Sequence, residues 1–314
     1  MITYHTEHRV DVHHHFCPPA YIDAVNPKIA LQPVLKNWTL AQSIEDMDQA
    51  GVWTAMLSIT SPGVFFGDAA AASALARTCN EYGADLVRNH PGRFGLFAAL
   101  PMPDVDASLR EIAYALDVLK ADGIGLYTSY DRRWLGDPSF TPVFDELDRR
   151  KAVVFTHPTA NECCTNLIPD ITDATIEFGT ETTRTIASLL FSGAAARHPN
   201  VNFIFAHAGG TMPFLFGRFV TLARDPRFAT RLPQGPLHEV RRFSYDIAQS
   251  ANPGALASLL QVIPISQILF GTDFPFSKGA PTVDGLRNFG ISADAMHAIG
   301  RTNPVALLPR LGAA

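Results

Sequence analysis

Short apolar runs alternate with amphipathic or alanine-rich stretches along most of the chain. The runs are rich in β-branched and aromatic residues and too short for typical helices, so each predicts a buried strand. The first predicted strand lies within residues 10–18, carries three consecutive histidines and runs into a turn closed by Pro18 and Pro19. The remaining predicted strands cover residues 52–59, 94–100, 123–126, 152–156, 201–206, 243–246 and 268–271.

The stretches between these runs predict helices with recognisable starts and stops. Ser43 is expected to cap a helix over 44–50 that Gly51 ends, and Asp106 or Ser108 to open a helix that reaches residue 119. Residues 20–37 contain Pro and Asn and predict an irregular insertion over one mouth of the fold. Further helices are predicted over 69–89, 142–149, 180–197, 213–224, 254–262, 293–302 and 304–310.

Eight nearly continuous apolar strands alternating with helices indicate a parallel sheet covered on both faces. The 314 residues could form two domains or one large α/β barrel, but no linker or composition break divides them. We therefore predict a single (β/α)8 TIM barrel domain over residues 1–314, with an N-terminal insertion and C-terminal helices. An open doubly wound sheet is the alternative, and no Gly-x-Gly-x-x-Gly follows the first strand to support it.

The composition and charge of the chain argue against nucleic-acid and membrane partners. Hydrophobic residues make up 47% and charged residues 18%, and the net charge is −5 without a Lys/Arg run, so no nucleic-acid partner is expected. The first residues lack a signal-peptide pattern, and no apolar run approaches the roughly 18 residues of a membrane span. The cysteines are Cys17, Cys79 and the adjacent Cys163 and Cys164, which suit neither a disulfide framework nor a zinc knuckle. We expect a reducing, cytoplasmic location.

Polar residues follow several of the predicted strands. In a TIM barrel the chemistry sits at the carboxyl ends of the strands, which share one mouth. Side chains alternate along a strand, so His13 and His15 point the same way and His14 points the opposite way. Alone, each polar strand end is explained by an inert, hydrogen-bonded side chain. Gathered at one mouth they indicate a metal site, because buried titratable groups are costly unless paired or metal-bound. The polar residues at the ends of the later strands are His157, His207, Asp246 and Asp273.

The chemistry of these groups suggests separate roles. A catalytic metal needs three or four protein ligands and an open position. Three imidazoles and one carboxylate suit Zn²⁺ and also accept Mn²⁺. His207 is then available as a general base, general acid, orienting group or fifth ligand. Asp246 is either functional or a hydrogen-bonded turn residue. The candidate ligands are His13, His15, His157 and Asp273.

These motifs resemble those of the amidohydrolase-related decarboxylases, the family of aminocarboxymuconate semialdehyde decarboxylase and the hydroxybenzoate decarboxylases. The resemblance rests on Asp-x-His-x-His after strand one, Thr-His-Pro at strand five, Ala-His-Ala-Gly-Gly at six and Gly-Thr-Asp-Phe-Pro-Phe at eight. It extends to residues 45–52, 181–184 and 303–304. Residues 182–184 and 245–248 are most similar to 6-methylsalicylate decarboxylase-type proteins.

The resemblance implies an amidohydrolase-type barrel, a divalent metal on the same four residues and a catalytic His207. It also implies a homodimer. In relatives an arginine eleven positions after the sixth-strand histidine binds the substrate carboxylate, sometimes from the partner subunit, and here it is Arg218. An ion pair on a helix surface would equally explain Arg218. Two-metal hydrolases of this layout use a carbamylated lysine on strand four, where this chain has Gly125 and Leu126, so one metal is expected.

At two positions this sequence departs from the family pattern, and these departures narrow the class of substrate that we expect. Some hydroxybenzoate members carry Glu where this chain has Gly209 and Gly210, and the muconate-type enzyme has arginines in the segment matching 43–46. We therefore expect non-oxidative decarboxylation of a monocarboxylic, salicylate-like aromatic acid, releasing CO₂. Asp273 is the expected source of the ring proton, and His207 the alternative. The other hypotheses are a mononuclear hydrolase of a lactone or amide, and a non-catalytic metal-binding barrel. The aromatic ring would contact apolar walls drawn from Phe65, Phe66, Tyr127, Trp134 and Phe214.

Overall fold

The computed structural model describes residues 8–313 and contains an eight-stranded parallel barrel, which confirms the predicted fold class. Consecutive strands pair in chain order. The segment after the last strand closes the barrel, because His15 N donates to the Phe274 carbonyl at 2.7 Å and Val12 N to that of Phe270 at 3.0 Å. The strands are β1 (Arg9–His15), β2 (Val52–Ser58), β3 (Phe94–Ala99), β4 (Gly123–Tyr127), β5 (Val153–His157), β6 (Asn202–Phe205), β7 (Ser244–Asp246) and β8 (Ile268–Leu269).

Helices surround the barrel. A small antiparallel hairpin pairs Ser129–Tyr130 with Arg133–Trp134 after β4. No helix within residues 8–313 is long and apolar enough to span a membrane. The α-helices are α1 (Pro19–Val25), α2 (Pro33–Lys36), α3 (Leu40–Ala50), α4 (Ala69–Asn89), α5 (Val105–Ala113), α6 (Thr141–Arg149), α7 (Asp173–Phe191), α8 (Ala194–Arg197), α9 (Met212–Leu222), α10 (Pro236–Arg242), α11 (Pro253–Val262), α12 (Gly279–Phe289), α13 (Ala293–His297) and α14 (Asn303–Leu307).

The barrel interior forms an apolar floor beneath the mouth. All seven residues of β1 are buried, because one face of the strand points into the barrel and the other packs against helices. Phe97 and Phe155 stack inside the barrel with ring centroids 5.4 Å apart. The ring of His13 lies directly against Phe155, at 4.9 Å. The histidines at the mouth therefore pack against a buried apolar core.

Several predicted element boundaries are wrong. Residues 20–37 include helices α1 and α2 rather than being wholly irregular. Thr39 caps α3 in a capping box with Gln42, whereas the side chain of Ser43 is buried. Ser43 Oγ instead contacts Nε2 of His14 at 3.0 Å, so its hydroxyl links α3 to β1 and does not cap the helix. Asp104, and not Asp106 or Ser108, caps α5.

The helices in the second half also differ from the prediction. Helix α7 begins at Asp173, before the expected residue 180, and no side chain caps its start to signal it. It ends at Phe191 because Gly193 adopts φ +77°, so residues 180–197 are not one helix. Helices α10 and α12 were not predicted. The start of α10 is marked only by Pro236 at its first position, and α12 starts at a glycine with no side-chain cap.

Candidate active site

The structure brings the four candidate ligands together. Each offers one donor atom within 4.8 Å of the others, and all four residues are buried. Nε2 of His13 lies 3.0 Å from Nε2 of His15. Oδ1 of Asp273 lies 3.2 Å and 3.1 Å from these two nitrogens. The cluster consists of His13 and His15 at the end of β1, His157 at the end of β5 and Asp273 after β8.

The outer nitrogen of each ligand histidine contacts a fixed acceptor. An Nδ1–H that donates outward leaves the lone pair on Nε2, and this inferred tautomer is the one that binds a metal. In this neutral tautomer, Nε2 of His13 and of His15 direct their lone pairs at the same point in the cluster. The acceptors are Asp246 Oδ2 for His13 at 3.0 Å, the Ser58 carbonyl for His15 at 3.2 Å and the Pro158 carbonyl for His157 at 2.8 Å.

This donor set fits a divalent cation. Two nitrogen lone pairs and a carboxylate oxygen at about 3 Å repel one another unless a positive charge lies between them. Oδ1 of Asp273 is buried and has no hydrogen-bond partner among residues 8–313. Buried polar atoms without partners are rare and mark a missing ion or water. Imidazole nitrogen with one carboxylate is a ligand set for Zn²⁺ and other first-row ions.

Burial and neighbouring charges set the protonation states of these groups before an ion binds. Burial lowers the pKa of His15 and of His157, which keeps both imidazoles neutral. Burial also disfavours charge on His13, but the neighbouring carboxylates of Asp246 and Asp273 outweigh it and raise its pKa to about 10. Binding of a cation must therefore displace a proton from the His13 ring. Burial works against ionisation of Asp273, yet the charge of the His13 ring holds the pKa of Asp273 well below the usual range. Asp273 is therefore a carboxylate.

His207 lies beside the cluster, on the turn after β6. Its ring centroid is 5.0 Å from that of His13 and 6.0 Å from that of His157. Its Nδ1 donates to the carbonyl of Ala248 at 3.0 Å. Nε2 of His207 has no hydrogen-bond partner in the described part of the chain. It is therefore the one nitrogen of this ring that can accept a proton from a bound molecule.

Asp246 connects two members of the site. Its Oδ2 accepts from Nδ1 of His13, and its Oδ1 accepts from the backbone N–H of His207 at 3.2 Å and of Ala248 at 2.9 Å. The carboxylate of Asp246 is wholly buried. Its position identifies it as an orienting partner of His13, which the sequence left undecided.

Sequence reasoning assigned no role to two further residues at the site. Gln249 donates its side-chain N–H to Oδ2 of Asp273, and Asp11 accepts the backbone N–H groups of His13 at 3.0 Å and Thr272 at 3.1 Å. Asp11 thereby ties β1 to the segment that carries Asp273. Gln249 follows β7 by three residues, so a survey of all polar strand ends would have found it. The role of Asp11 depends on a contact between β1 and the segment after β8, across the closure of the barrel.

The backbone at the mouth is strained. Four non-glycine residues there adopt the left-handed region, each at a cost of about 1–3 kcal/mol. Such conformations persist only where the surrounding structure holds them, and they concentrate at functional sites. They are His207 at φ +54°, Ala208 at +58°, Gln249 at +51° and Asp273 at +65°.

A cavity of about 420 Å³ lies next to the segment that follows His157, and none of the four candidate ligands is among its lining residues. Phe65, Phe66 and Tyr127 line it. The Tyr127 ring centroid lies 6.4 Å from that of His157, and its hydroxyl donates to the Ile59 and Thr60 carbonyls. The other walls come mainly from residues 62–67, 100–103, 129–132 and 159–162.

Three residues expected near the substrate lie outside this cavity wall. Arg218 is exposed on α9, and Phe214 on the same helix is 83% exposed. Trp134 is half-buried, and its Nε1–H donates to Oε2 of Glu181 at 2.8 Å. Within one chain the structure therefore does not bring Arg218 to the cavity.

Comparison with known proteins identifies the family. The amidohydrolase family profile matches residues 10–310. The chain belongs to the amidohydrolase family. It is 37% identical over 323 residues to decarboxylase yanB of Aspergillus niger, covering 96% of this chain and 88% of that protein. It is 38% identical over 276 residues to a 6-methylsalicylic acid decarboxylase of Penicillium expansum, covering 85% of each.

Solved structures share the amidohydrolase fold of this chain. A dihydroxybenzoic acid decarboxylase from Polaromonas sp. JS666, crystallised with manganese and the inhibitor 2-nitroresorcinol, superposes with a TM-score of 0.80. The two chains are 23% identical, and the match covers 96% of each. At this identity the likeness establishes the common barrel.

Proposed function

We propose that this protein is a metal-dependent carboxy-lyase that releases CO₂ from a salicylate-like, monocarboxylic aromatic acid without an oxidant. The proposal rests on the cluster that Asp273 forms with the imidazoles of His13, His15 and His157, near a cavity lined by aromatic residues. Decarboxylases among the relatives that cover most of the chain support the reaction class. An apolar wall with a few polar groups suits an aromatic acid.

His13, His15, His157 and Asp273 would hold the ion. When bound, a divalent ion supplies positive charge for the carboxylate and the adjacent hydroxyl of the substrate. We propose Zn²⁺, which the nitrogen-rich ligand set favours, and Mn²⁺ is the alternative because the Polaromonas enzyme contains it. Phe65 and Tyr127 would contact the two faces or edges of the ring.

His207 and Asp273 divide the proton transfers. His207 takes the phenolic proton at Nε2 and later returns it to the product oxygen. Asp273 gives a proton to the ring carbon that bears the carboxylate, which interrupts the aromaticity of the ring. The bond to the carboxylate then breaks, CO₂ leaves, and the electron pair of that bond restores the ring. The anionic substrate favours the protonated form of Asp273, because like charges raise a carboxyl pKa, and water restores its proton afterwards.

The remaining features of the protein are also proposals. We propose one domain over residues 1–314 and a homodimer in which α9, with Arg218 and the exposed Phe214, faces the second chain. A reducing, cytoplasmic location is supported by the cysteines, which are all free in the structure. Light scattering of the purified protein tests the dimer, since a monomeric mass would contradict it.

A CO₂-release assay tests the proposed reaction. Protein stripped with a chelator and reloaded with one Zn²⁺ or Mn²⁺ per chain is incubated with salicylate, 6-methylsalicylate and 2,6-dihydroxybenzoate. We expect CO₂ from at least one acid, and a loss of about 100- to 10,000-fold in kcat for Asp273→Asn. Hydrolysis of lactones or amides without CO₂ release would identify a hydrolase instead. Full metal loading with neither activity would indicate a binding protein, and an active Asp273→Asn variant would exclude Asp273 from the mechanism.

A further inference from the structure

Two adjacent thiols lie on the outer side of the cavity wall. Cys163 and Cys164 belong to the short turn Glu162–Cys164 between β5 and α7, and their Sγ atoms are 2.7 Å apart. Cys163 is exposed and Cys164 is half-buried. The other cysteines, Cys17 and Cys79, are buried, and burial raises the pKa of each thiol to about 12. Only the adjacent pair is therefore accessible to reagents in solution.

Asn161 connects the turn that carries Cys163 and Cys164 to the cavity wall through hydrogen bonds. Its side-chain oxygen accepts from Cys163 N at 3.4 Å, and its carbonyl accepts from Cys164 N at 2.8 Å. Asn161 is only 4% exposed and lines the cavity, together with Glu162. Its Nδ2–H donates to Oγ of Ser129, another lining residue, at 3.4 Å. A change in the turn therefore acts directly on the wall.

Arg184 connects the pair to a second part of the same wall. Its Nη1–H donates to Sγ of Cys164 at 3.6 Å and also to Oε1 of Glu181. Glu181 is wholly buried and accepts from Nε1–H of Trp134 at 2.8 Å. Trp134 belongs to the hairpin whose first strand, Ser129–Tyr130, lines the cavity. Both routes from the thiols end at the same lining segment.

We propose that Cys163 and Cys164 form a thiol–disulfide modification site, at which a small disulfide such as oxidised glutathione converts them into a vicinal disulfide and reshapes the cavity wall. The exposed Cys163 thiolate attacks one sulfur of the reagent and releases one glutathione thiolate, which takes up a proton. The Cys164 thiolate then attacks the mixed disulfide and releases the second glutathione. Two thiols are oxidised, and the reagent is reduced to two thiols.

Ring closure must change the turn. A disulfide between neighbours closes a ring that contains the peptide bond between them, and ordinary disulfide geometry is not available to adjacent residues without backbone movement. The bonds from the two cysteine N–H groups to Asn161 lie on that backbone and must change with it. An exposed disulfide closed under strain is readily reduced, so the modification is reversible.

The experiment uses the metal-loaded protein and oxidised glutathione. After alkylation and digestion, we expect the peptide with Cys163 and Cys164 to have lost two hydrogens, while Cys17 and Cys79 remain thiols. Fluorescence of Trp134 is expected to shift on oxidation and to recover with dithiothreitol. Trp134→Phe is the control that assigns the fluorescence shift, and Cys163→Ser and Cys164→Ser should each abolish it.

Two outcomes would overturn the proposal. One is the appearance of only separate glutathione adducts on Cys163 and Cys164 in the wild-type protein. The other is a vicinal disulfide that forms without a change in Trp134 fluorescence, because the thiols would then be uncoupled from the wall. Neither measurement needs a substrate, so the result does not depend on the proposed decarboxylation.

Discussion

Asp246→Asn is expected to weaken binding of Zn²⁺ or Mn²⁺ by about 10- to 100-fold. The carboxylate of Asp246 accepts three N–H groups, from the His13 ring and from the backbone of His207 and Ala248. Asparagine has the same shape but only one acceptor oxygen. If that oxygen stays on the two backbone groups, the amide NH₂ faces Nδ1 of His13.

A donor at that position reverses the tautomer of His13. Its Nδ1 must then accept, so the proton moves to Nε2 and occupies the lone pair that faces His15 and Asp273. Rotating the amide instead leaves the two backbone N–H groups without an acceptor. Either arrangement loses a hydrogen bond to a charged group, which costs about 1.5–3 kcal/mol, and every 1.4 kcal/mol is a tenfold change in Kd. A cost of this size corresponds to the roughly 10- to 100-fold weaker metal binding expected for Asp246→Asn.

Competition with a chromogenic chelator measures the affinity. Asp145→Asn is a matched control, because Asp145 also accepts from a histidine, Nε2 of His198 at 3.0 Å, but its side chain is 65% exposed and takes no part in the cluster. We expect the control to bind the ion as the wild-type protein does. A Kd for Asp246→Asn within twofold of wild type, in a variant that remains folded, would refute the orienting role.

Two further predictions concern the cavity wall and the thiols. Gly63→Ala is expected to destabilise the fold by about 1–3 kcal/mol relative to Gly67→Ala in urea unfolding, since both glycines have positive φ but a Cβ at Gly63 would lie 2.6 Å from the Tyr127 ring. Equal midpoints for the two variants would contradict this contact. At pH 8 a thiol reagent should modify two of the four cysteines in the native protein, because the pKa of Cys17 and of Cys79 is raised to about 12 and these thiols stay protonated until pH approaches that value. Reaction at all four without denaturant would contradict their burial.

The strands and the candidate ligands were predictable because both depend on local sequence. Parallel strands buried on two faces are continuous apolar runs, and the barrel places their ends at one mouth. The alternation of side chains along β1 separates His13 and His15 from His14, whose ring instead contacts Asp11 and Ser43. These inferences need no knowledge of what lies across the barrel.

The features that the sequence did not assign depend on contacts between segments that are distant in the chain. Asp246 and Gln249 acquire their roles from contacts with His13 and Asp273. The helix boundaries failed for a related reason: Ser43 looks like a cap, yet its hydroxyl is used in the buried contact with His14. A local pattern cannot distinguish a polar residue that caps a helix from one that pairs with a remote side chain.

Anomalous diffraction from crystals of the metal-loaded protein tests the central claim most directly. We expect one peak per chain, bounded by His13, His15, His157 and Asp273, at about 2.0–2.2 Å from the nitrogen and oxygen ligands for Zn²⁺. A peak elsewhere, two peaks at the mouth, or an empty cluster in fully loaded protein would contradict the proposed single-metal site.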